Sequence, residues 1–590
     1  MASVQNIPLP AVQQQIRLKT RAKGRAADAV SIAEVSALLG EAPRRRDLLI
    51  EHLHRIQDAY GRLAERHLVA LAREMNLPMS EVYEVATFYH HFDVVRDAEA
   101  VGPARLTVRV CESVACEMAG ARDLLARLPA LLGTDVRVLA APCVGRCEQA
   151  PVAVVGRNPL PRASCEDVRR AVDAGAVEHP RARDRAAFDP VAWVDPAATP
   201  GPGTTVAPDY TGYDAYRKAG GYRLIADCLA GKRDAEALIR AMEESGLRGL
   251  GGAGFPAGRK WRIVRAEAGP KVMAVNIDEG EPGTFKDRTY LERDPHRFIE
   301  GMLVAAWVTG VGSIYVYLRD EYHGCRAILE KELARLQADP PCALPPIALR
   351  RGAGAYICGE ESAMIESIEG KRGEPRLRPP YVAQVGLFGY PTLEHNFETV
   401  YWVRDIIARG GPWFAGFGRH GRRGLRSFSV SGRVRRPGMH LAPAGITVRE
   451  LIDEYCGGML DGHRFYAYLP GGASGGILPA ALGDVPLDFD TLQAHGCFIG
   501  SAAVMILSDH DRARDAALNV MRFFRHESCG QCTPCRVGTA KAATLMEASR
   551  WDRALLEDLS QVMGDASICG LGQAAPNPIR CVVNHFPHEV

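Results

Sequence analysis

The chain has 590 residues, of which 47% are hydrophobic and 24% are charged, and its 72 Lys and Arg residues against 70 Asp and Glu residues leave a formal net charge of +2. This composition excludes wholesale disorder and gives no support to a nucleic-acid-binding protein or a polybasic membrane protein. At roughly 150 residues per domain, the length predicts about four domains. Several of the 16 cysteines lie in tight groups instead of being spread like a disulfide framework, which indicates metal ligands in a reducing compartment.

The first third of the chain is predicted to be an arm followed by two small domains. Residues 1–30 mix Gln, Pro, Lys and Arg without the apolar core of a secretory signal, so we predict a flexible basic arm. Residues 31–103 place apolar side chains at three- and four-residue spacing, which predicts a helical domain. Residues 104–178 carry strand patterns near 106–110 and 136–139 with an Ala/Leu-rich helix between them, which predicts a small α/β domain.

The first cysteine group lies in this small domain. Four residues separate Cys111 from Cys116, and three separate Cys143 from Cys147. Each pair closes a predicted strand, so two loops can place four thiolates around one site. These spacings favour a [2Fe–2S] cluster over the two-residue knuckles of zinc sites, although a zinc site and two pairs of buried cysteines remain alternatives.

The rest of the chain is divided by composition. Residues 179–209 repeat Pro, Ala, Asp and Gly, which predicts a linker with few contacts. A large α/β domain is predicted over 210–420, a compact unit of short strands around one helix over 421–505, and a helical domain over 506–590.

One uncharged run, 301–318, is close to the length of a membrane span. Gly310 and Gly312 interrupt it just before a segment rich in strand formers. The run therefore predicts a buried helix, a turn and a core strand. We expect a cytoplasmic protein that binds neither membrane nor nucleic acid.

A glycine-rich loop, 249–254, satisfies the spacing of a dinucleotide fingerprint. A helical pattern (235–244) precedes it where a Rossmann loop needs a strand. Asp278 is placed to imitate the ribose-binding acid, so a Rossmann site remains one alternative and a loop that serves only packing another. Glycines let backbone N–H groups close on a phosphate or a flat ring, and Lys260 offers a cation to the same anion.

Two further loops combine glycines, which expose backbone N–H groups, with acidic side chains. Segment 276–283 follows a predicted strand (271–275) and carries three carboxylates. Such a loop is commonly just solvated, but beside a ring-binding loop its carboxylates can accept hydrogen bonds from ribose or ribityl hydroxyls. Segment 352–361 repeats the combination.

The second cysteine group packs Cys529, Cys532 and Cys535 into seven residues. Three ligands this close fit one face of a [4Fe–4S] cubane, with a distant fourth closing it. Cys569, which glycines follow, is the expected fourth ligand. Cys581 is a competitor without neighbouring glycines, and a zinc site is the remaining alternative.

Several motifs in the same order resemble a known family. Segments 246–261, 276–283, 352–373 and 527–535 resemble the NADH-binding flavoprotein subunit of respiratory complex I, and the first 180 residues resemble its small [2Fe–2S] partner subunit, here fused in front. Such fusions occur in the diaphorase subunits of NAD-linked formate dehydrogenases and NAD-reducing hydrogenases. The tail 569–578 is similar to that of the β subunit of molybdenum- or tungsten-dependent formate dehydrogenase.

The resemblance implies a multidomain α/β and α fold. Its parts are a helical start with a thioredoxin-like [2Fe–2S] domain, a Rossmann-like FMN/NAD domain, a ubiquitin-like (SLBB-type) domain and a C-terminal helical [4Fe–4S] bundle. It implies a reversible transfer of electrons from a partner's formate-oxidising centre, through iron–sulfur clusters and FMN, to NAD⁺ as hydride. The implied partner is a Mo/W-pterin α subunit with further clusters; the hydrogenase diaphorase and a cluster scaffold that no longer binds NAD are the alternatives.

The resemblance also implies site residues, with no catalytic acid or base, because hydride passes directly between FMN and NAD. For FMN they are Gly249, Gly251, Gly252, Lys260, Asn276, Asp278, Tyr356, Gly359, Glu360 and Asn396; for NAD they are Phe255, Glu279, Glu281, Glu361, Arg378 and Tyr381. Cys111, Cys116, Cys143 and Cys147 would bind the [2Fe–2S] cluster, and Cys529, Cys532, Cys535 and Cys569 the [4Fe–4S] cluster. The chain departs from the family pattern at Leu250, where arginine is common, at Arg378 and Tyr381, where lysine and phenylalanine are usual, and at His395, where asparagine is frequent.

Overall fold

The structure is a computed structural model and describes residues 25–97, 104–198 and 206–590. Most of the predicted basic arm, at 1–24, and part of the predicted linker, at 199–205, lie outside the described residues. Within the described ranges, no helix is both long and apolar enough to cross a membrane.

The N-terminal unit is helical, as predicted. Its helices are α1 (Ala29–Leu39), α2 (Leu49–Tyr60), α3 (Glu65–Glu74) and α4 (Met79–Phe88), and its two short parallel strands are β1 (Leu63–Ala64) and β2 (Val94–Val95). Asp28 caps α1 by accepting a hydrogen bond from the backbone N–H of Ser31 at 2.8 Å. The apolar faces of the helices bury Leu49, Leu53 and Ile56 completely.

The next unit is a four-stranded sheet with helices beside it. Its elements are β3 (Leu106–Cys111), α5 (Val114–Met118), α6 (Ala121–Leu132), β4 (Val136–Ala141), β5 (Ala153–Val155), β6 (Asn158–Leu160) and α7 (Cys165–Asp173). The strand order is β4-β3-β5-β6, with β3 and β4 parallel and the other pairs antiparallel. Both predicted strands are therefore present, and the predicted cysteine loops follow their carboxyl ends.

The predicted linker is not poor in contacts over its described part, which corrects that expectation. Strand β7 (Asp184–Arg185) pairs in parallel with β8 (Tyr210–Thr211). Trp193 is buried and stacks on Tyr290, with ring centroids 5.9 Å apart. Composition signals turns, but it does not reveal that one aromatic residue anchors the segment on the next unit.

The central unit is a parallel sheet covered by helices. Its elements are α8 (Tyr213–Lys218), α9 (Arg223–Leu229), α10 (Ala235–Glu244), α11 (Ala257–Ala266), β9 (Lys271–Ile277), α12 (Lys286–Leu291), α13 (Pro295–Thr309), β10 (Val311–Leu318), α14 (His323–Ala338), β11 (Ile347–Arg351), α15 (Glu361–Ile368), β12 (Thr392–Asn396), α16 (Phe397–Tyr401), α17 (Val403–Arg409) and α18 (Gly411–Ala415). The strand order β11-β10-β9-β12 is parallel throughout. The uncharged run 301–318 forms the end of α13 and all of β10, with Gly310 at a φ of 75° ending the helix.

The fourth unit is a mixed five-stranded sheet. Its elements are β13 (Leu425–Gly432), β14 (Gly438–Pro443), α19 (Val448–Glu450) continuing as a π-helical turn (Leu451–Tyr455), β15 (Phe465–Leu469), β16 (Leu478–Pro479) and β17 (Ala503–Ser508). The order is β14-β13-β17-β15-β16. Strand β17 crosses the boundary predicted at 505/506, and since it pairs with both β13 and β15, the whole strand belongs to this sheet.

The C-terminal unit consists of α20 (Ala513–Glu527), α21 (Thr533–Met546), α22 (Arg553–Ala566), α23 (Gly570–Ala574) and α24 (Asn577–His585). Two of its loops carry the second cysteine group: 528–532 between α20 and α21, and 567–569 between α22 and α23. The structure thus has the multidomain α/β and α architecture expected from the sequence.

Helix α13 crosses α16 so closely that there is no room for a side chain at residue 301. A Cβ added at Gly301 would lie 2.3 Å from the carbonyl oxygen of Val400. We expect Gly301→Ala to destabilise the central unit by about 2 kcal/mol, which lowers the melting temperature of a unit of this size by roughly 4–8 °C. Scanning calorimetry measures this shift.

Gly564→Ala is the matched control, since Gly564 also lies in a helix but its added Cβ would meet only the end of Arg580, at 3.9 Å. Removing a helical glycine there is expected to stabilise the chain by up to about 1 kcal/mol. A Gly301→Ala chain that melts at or above the wild-type temperature would contradict the packing described here.

Candidate functional site

The glycine-rich loop forms one wall of a cavity of about 870 Å³. The loop joins α10 to α11, so a helix precedes it, which argues against the Rossmann alternative. Across from the loop are Asn276 and Asn396, which end the neighbouring parallel strands β9 and β12 and are register partners. The cavity therefore lies at the carboxyl ends of the strands, where open α/β sheets bind their ligands.

The glycine loop brings bare backbone to the cavity. A Cβ added at Gly251 would lie 3.0 Å from Cβ of Asn396, so a side chain there would narrow the space. The departure at Leu250 has a simple account, because this side chain is buried and its backbone N–H donates to Oγ1 of Thr399 at 2.8 Å. The loop thus has the backbone access that a phosphate or a flat ring requires.

Charged groups of both signs line the cavity. Lys260 Nζ donates to the carbonyl oxygen of Glu394 at 2.9 Å and to its carboxylate at 3.0 Å. Burial by itself would lower the pKa of Lys260, but Glu394 and Glu361 outweigh it and raise the pKa, so the ammonium stays charged. Arg378 bridges Glu361, at 2.9 Å, and Glu360. A bound phosphate can replace Glu394 as the partner of Lys260.

Aromatic side chains stand at the edge of the same cavity. Tyr381 is 55% exposed and Phe255 is 38% exposed, so both rings are accessible for stacking on a ligand in the cavity. Ile263, 36% exposed, and Arg259, whose guanidinium lies 5.7 Å from the Phe255 ring centroid, also line the cavity. Neither residue was predicted from the sequence, although Arg259 and Ile263 lie four residues apart on the exposed side of α11.

The cavity wall contains most but not all of the predicted nucleotide residues. Those present are Gly249, Gly251, Lys260, Asn276, Gly359, Glu360 and Asn396 of the FMN set and Phe255, Glu361, Arg378 and Tyr381 of the NAD set. Those that do not line it are Gly252, Asp278, Tyr356, Glu279 and Glu281. Residues Arg376, Glu394, His395, Ile568 and Gln573 line it without having been predicted as contacts.

The two glutamates of the acidic loop accept hydrogen bonds from within the chain. Glu279 accepts hydrogen bonds from the first backbone N–H groups of α12, at 2.8 and 3.1 Å, and from the Tyr322 hydroxyl at 2.7 Å. Burial raises the pKa of Glu279 to about 7. Glu281 accepts from the backbone and hydroxyl of Ser474, at 2.8 and 2.7 Å, and from the Tyr356 hydroxyl. Neither carboxylate lines the large cavity, and the expectation that both approach the nucleotide stays a prediction.

Asp278, Tyr356 and Gly252 are placed elsewhere for different reasons. Asp278 and Tyr356 line a small pocket that Cys143 also lines, on the side of the first cysteine group. Gly252 faces Gly500 of the mixed sheet, 3.7 Å from its added Cβ. Beyond Asn276, the acidic loop therefore lies on the side of the first cysteine group and does not line the large cavity.

The four cysteines of the first group lie close together. Cys111 ends β3, Cys116 lies on α5, and Cys143 and Cys147 follow β4; all four are at most 3% exposed. Sγ of Cys143 lies 3.3 Å from Sγ of Cys147. Arg319 of the central unit donates to the Cys143 carbonyl at 2.7 Å, which fixes this loop against the acidic loop.

The second cysteine group also forms one site. Cys529 and Cys532 lie between α20 and α21, Cys535 lies on α21, and Cys569 caps α23. Burial raises the pKa of Cys529 to about 11 and of Cys535 to about 12, so a bound metal must displace their protons. Cys581 is not part of the group, because its Sγ lies 3.5 Å from Sγ of Cys497.

The spacing of the thiols separates iron–sulfur clusters from single zinc ions. A tetrahedral zinc with bonds of about 2.3 Å holds its sulfurs roughly 3.8 Å apart. Among the described residues, the only groups of three or more ligand atoms within 4.8 Å are His54–His91–Asp320 and His90–His526–Glu527, and neither contains a cysteine. No three thiols of either cysteine group therefore lie mutually within 4.8 Å, a spacing that is compatible with a multi-iron cluster.

The chain is similar to four known protein families along its length. Residues 35–175 match the thioredoxin-like [2Fe-2S] ferredoxin model, 242–405 the Nuo51 FMN-binding domain, 427–478 the SLBB domain, and 515–590 the NADH-ubiquinone oxidoreductase-F iron-sulfur binding region. The family matches thus agree with the sequence-predicted fold and cofactors in each part of the chain.

Whole-protein comparisons agree with these matches. An NADH-quinone oxidoreductase subunit of Rhizobium meliloti (strain 1021) is 42% identical over 398 residues, covering 65% of this chain and 94% of that protein. The mitochondrial NADH-ubiquinone oxidoreductase 51 kDa subunit of Neurospora crassa is 41% identical over 376 residues and covers 60% and 76%. A solved chain from an NAD⁺-reducing [NiFe]-hydrogenase in the air-oxidized state aligns at 32% identity and a TM-score of 0.77, covering 93% of this chain and 94% of that chain.

Proposed function

The chain belongs to the family of NADH-oxidising flavoproteins typified by the NADH-ubiquinone oxidoreductase 51 kDa subunit, and from this premise we propose that it is the NAD(H)-binding β subunit of a formate dehydrogenase. The chain has regions that bind FMN, NADH, a [2Fe–2S] cluster and a [4Fe–4S] cluster. In this proposal a partner α subunit oxidises formate at a Mo/W-pterin centre. Electrons then pass through iron–sulfur clusters and FMN to NAD⁺, reversibly, in the cytoplasm.

One observation carries the electron-transfer part of this proposal. Cys569, a proposed ligand of the [4Fe–4S] cluster, lines the same cavity as Lys260 and the glycine loop. NAD exchanges electrons as a hydride pair and clusters exchange them singly, so a site that couples the two must hold both cofactors side by side. FMN supplies the conversion between two-electron and one-electron transfer when it is bound there.

The residues of the chain supply binding and orientation. We propose that the glycine loop, Asn276 and Asn396 hold the flavin, with Lys260 neutralising its phosphate. Glu361, Arg378, Phe255 and Tyr381 would orient the dinucleotide at the open side. No side chain needs to move a proton for hydride transfer, since the reaction requires only close stacking and exclusion of water.

The partner's substrate is the finer part of the proposal. All four front cysteines are retained and the tail 569–578 is similar to that of formate dehydrogenase β subunits, which supports formate. The second candidate is the diaphorase subunit of an NAD-reducing hydrogenase, which the alignment over 93% of this chain supports. Both candidates share the local chemistry and differ only in the partner.

Purification of the native complex tests the partner assignment. The recovered assembly is assayed for NAD⁺ reduction with formate and, separately, with hydrogen, and its metals are measured. Formate-dependent activity with molybdenum or tungsten is the expected result. Hydrogen-dependent activity with nickel would overturn the formate assignment and leave the flavin and cluster sites as described.

The exposed tyrosine gives a direct test of the nucleotide side. Loss of a stacked ring costs about 1.4 kcal/mol, or tenfold in affinity. We expect Tyr381→Ala to raise KM for NADH about tenfold with little change in kcat, and Tyr381→Phe to behave like wild type. An unchanged KM in Tyr381→Ala, measured with ferricyanide as acceptor, would remove Tyr381 from the nucleotide site.

A further inference from the structure

A cluster of two histidines and one aspartate lies away from both cysteine groups. His54 comes from α2, His91 follows α4, and Asp320 follows β10 in the central unit. One ligand atom from each lies within 4.8 Å of the others. His54 and Asp320 are buried and His91 is 16% exposed, so the three groups form an enclosed junction between two units.

His54 is held in the form that a metal needs. Its Nε2 lies 2.9 Å from the carbonyl oxygen of Gly352, to which it donates a proton. Its Nδ1 is then a bare lone pair, and this atom is buried without a hydrogen-bond partner. A metal-binding histidine is ordinarily oriented by such a backbone carbonyl.

Asp320 and His91 are hydrogen-bonded to each other. Nδ1 of His91 lies 2.8 Å from Oδ2 of Asp320, and Nε2 of His91 is buried without a partner. The other carboxylate oxygen of Asp320 accepts from Nε of Arg351 and has Nη1 of Arg326 3.6 Å away. Arg351 is shared with Asp58, at 2.7 Å, so its charge is not directed at Asp320 alone. Oδ2 of Asp320 thus accepts from His91, and a metal can take this oxygen together with Nδ1 of His91 once the His91 proton moves to the unpartnered Nε2.

We propose that His54, His91 and Asp320 form a divalent transition-metal site that binds zinc. Two imidazole nitrogens and one carboxylate oxygen are a common zinc ligand set, with water in the fourth position. With bonds of about 2.0–2.1 Å, tetrahedral ligands lie roughly 3.3 Å apart. Nδ1 of His91 and Oδ2 of Asp320, now 2.8 Å apart, must move apart by about half an ångström, and a separation at the 4.8 Å limit must close by about 1.5 Å.

The other histidine group lacks these features. His90 and His526 are exposed. The oxygens of Glu527 contact Nδ1 of His526 at 3.0 Å and the backbone N–H of Tyr356 at 2.9 Å. Among the described residues, the buried nitrogens without a hydrogen-bond partner include those of His54 and His91 but none of His90 or His526. It therefore serves as the matched control.

The proposed metal joins the N-terminal helices to the second glycine loop. His54 donates to Gly352, and the backbone N–H of His91 donates to the carbonyl of Ala353 at 3.2 Å. That loop leads directly to Gly359 and Glu360 in the cavity wall. Zinc would fix the junction and raise the melting temperature, since a ligand that binds only the folded state stabilises it.

The test measures zinc in the full chain with both clusters assembled, after a chelator wash and dialysis against Zn²⁺. We expect wild type and His90→Gln to hold one more zinc per chain than His54→Gln or His91→Gln, and zinc to raise the melting temperature only in the first two. Equal zinc content in all four, or a loss only in His90→Gln, would overturn the proposal.

X-ray absorption on zinc-loaded wild type needs no variant to fold. Nitrogen and oxygen neighbours at about 2.0–2.1 Å are expected. Sulfur neighbours at about 2.3 Å would place the zinc on cysteines and refute the assignment.

Discussion

Lys260→Met is expected to yield a folded chain that binds FMN about 100-fold more weakly than wild type. Lys260 is the cation of the cavity that hydrogen-bonds Glu394, and its loss removes a charge-assisted contact to a phosphate, worth about 1.5–3 kcal/mol. The change also leaves the carboxylate of Glu394, only 11% exposed, without its cation and close to the incoming phosphate. Both effects act against the same anion, so they reinforce each other.

The measurement is the dissociation constant of FMN, from fluorescence of the flavin released on dilution. Lys260→Arg keeps the charge and is expected to lose less than about tenfold in affinity, although its geometry differs. Lys232→Met removes a lysine paired with Asp227 on the surface and should bind FMN like wild type. A Lys260→Met chain with wild-type flavin affinity would show that the phosphate lies elsewhere.

Cys532→Ser is expected to interrupt electron transfer between the partner and the flavin. Serine is a poor cluster ligand, so the [4Fe–4S] signal in electron paramagnetic resonance should be lost while FMN is retained. NAD⁺ reduction driven by the partner's substrate should fall at least about 100-fold, because one-electron transfer then has no relay beside the cavity. NADH oxidation by ferricyanide should stay within about threefold of wild type, since this acceptor can take electrons from the flavin itself.

Cys342→Ser is the matched control, because Cys342 is partly buried and belongs to neither cysteine group. It should leave the cluster signal and both activities unchanged. Partner-driven NAD⁺ reduction that survives in Cys532→Ser would exclude the [4Fe–4S] cluster from the electron path. The [2Fe–2S] site, which approaches the acidic loop through Cys143, would then be the candidate for electron transfer to the flavin.

Much of the site could be predicted because local patterns determine it. The spacing of Cys529, Cys532 and Cys535 leaves few ligand geometries, and the predicted strand 271–275 places Asn276 at its carboxyl end, as strand β9 does. The buried helix and strand at 301–318 followed from two glycines and a change in residue type. These are short-range signals, and the structure agrees with them.

Other features depended on contacts between distant segments. Glu279 and Glu361 have similar sequence settings, yet Glu279 caps α12 and Glu361 faces the cavity. Nothing near residue 279 indicates that the N–H groups of residues 287 and 288 will reach its carboxylate. The boundary at 505/506 failed for the same reason, since only pairing with β13 and β15 shows that β17 continues to residue 508.

The central claim is that one cavity couples hydride exchange with NAD to single-electron transfer by the adjacent [4Fe–4S] cluster. The most direct test adds one equivalent of NADH to the anaerobic, fully loaded chain and freezes samples over milliseconds. The account predicts that flavin absorbance is lost first and that the [4Fe–4S] resonance then appears, without any partner subunit. A cluster that becomes reduced while the flavin stays oxidised throughout, or a flavin that NADH fails to reduce, would contradict it.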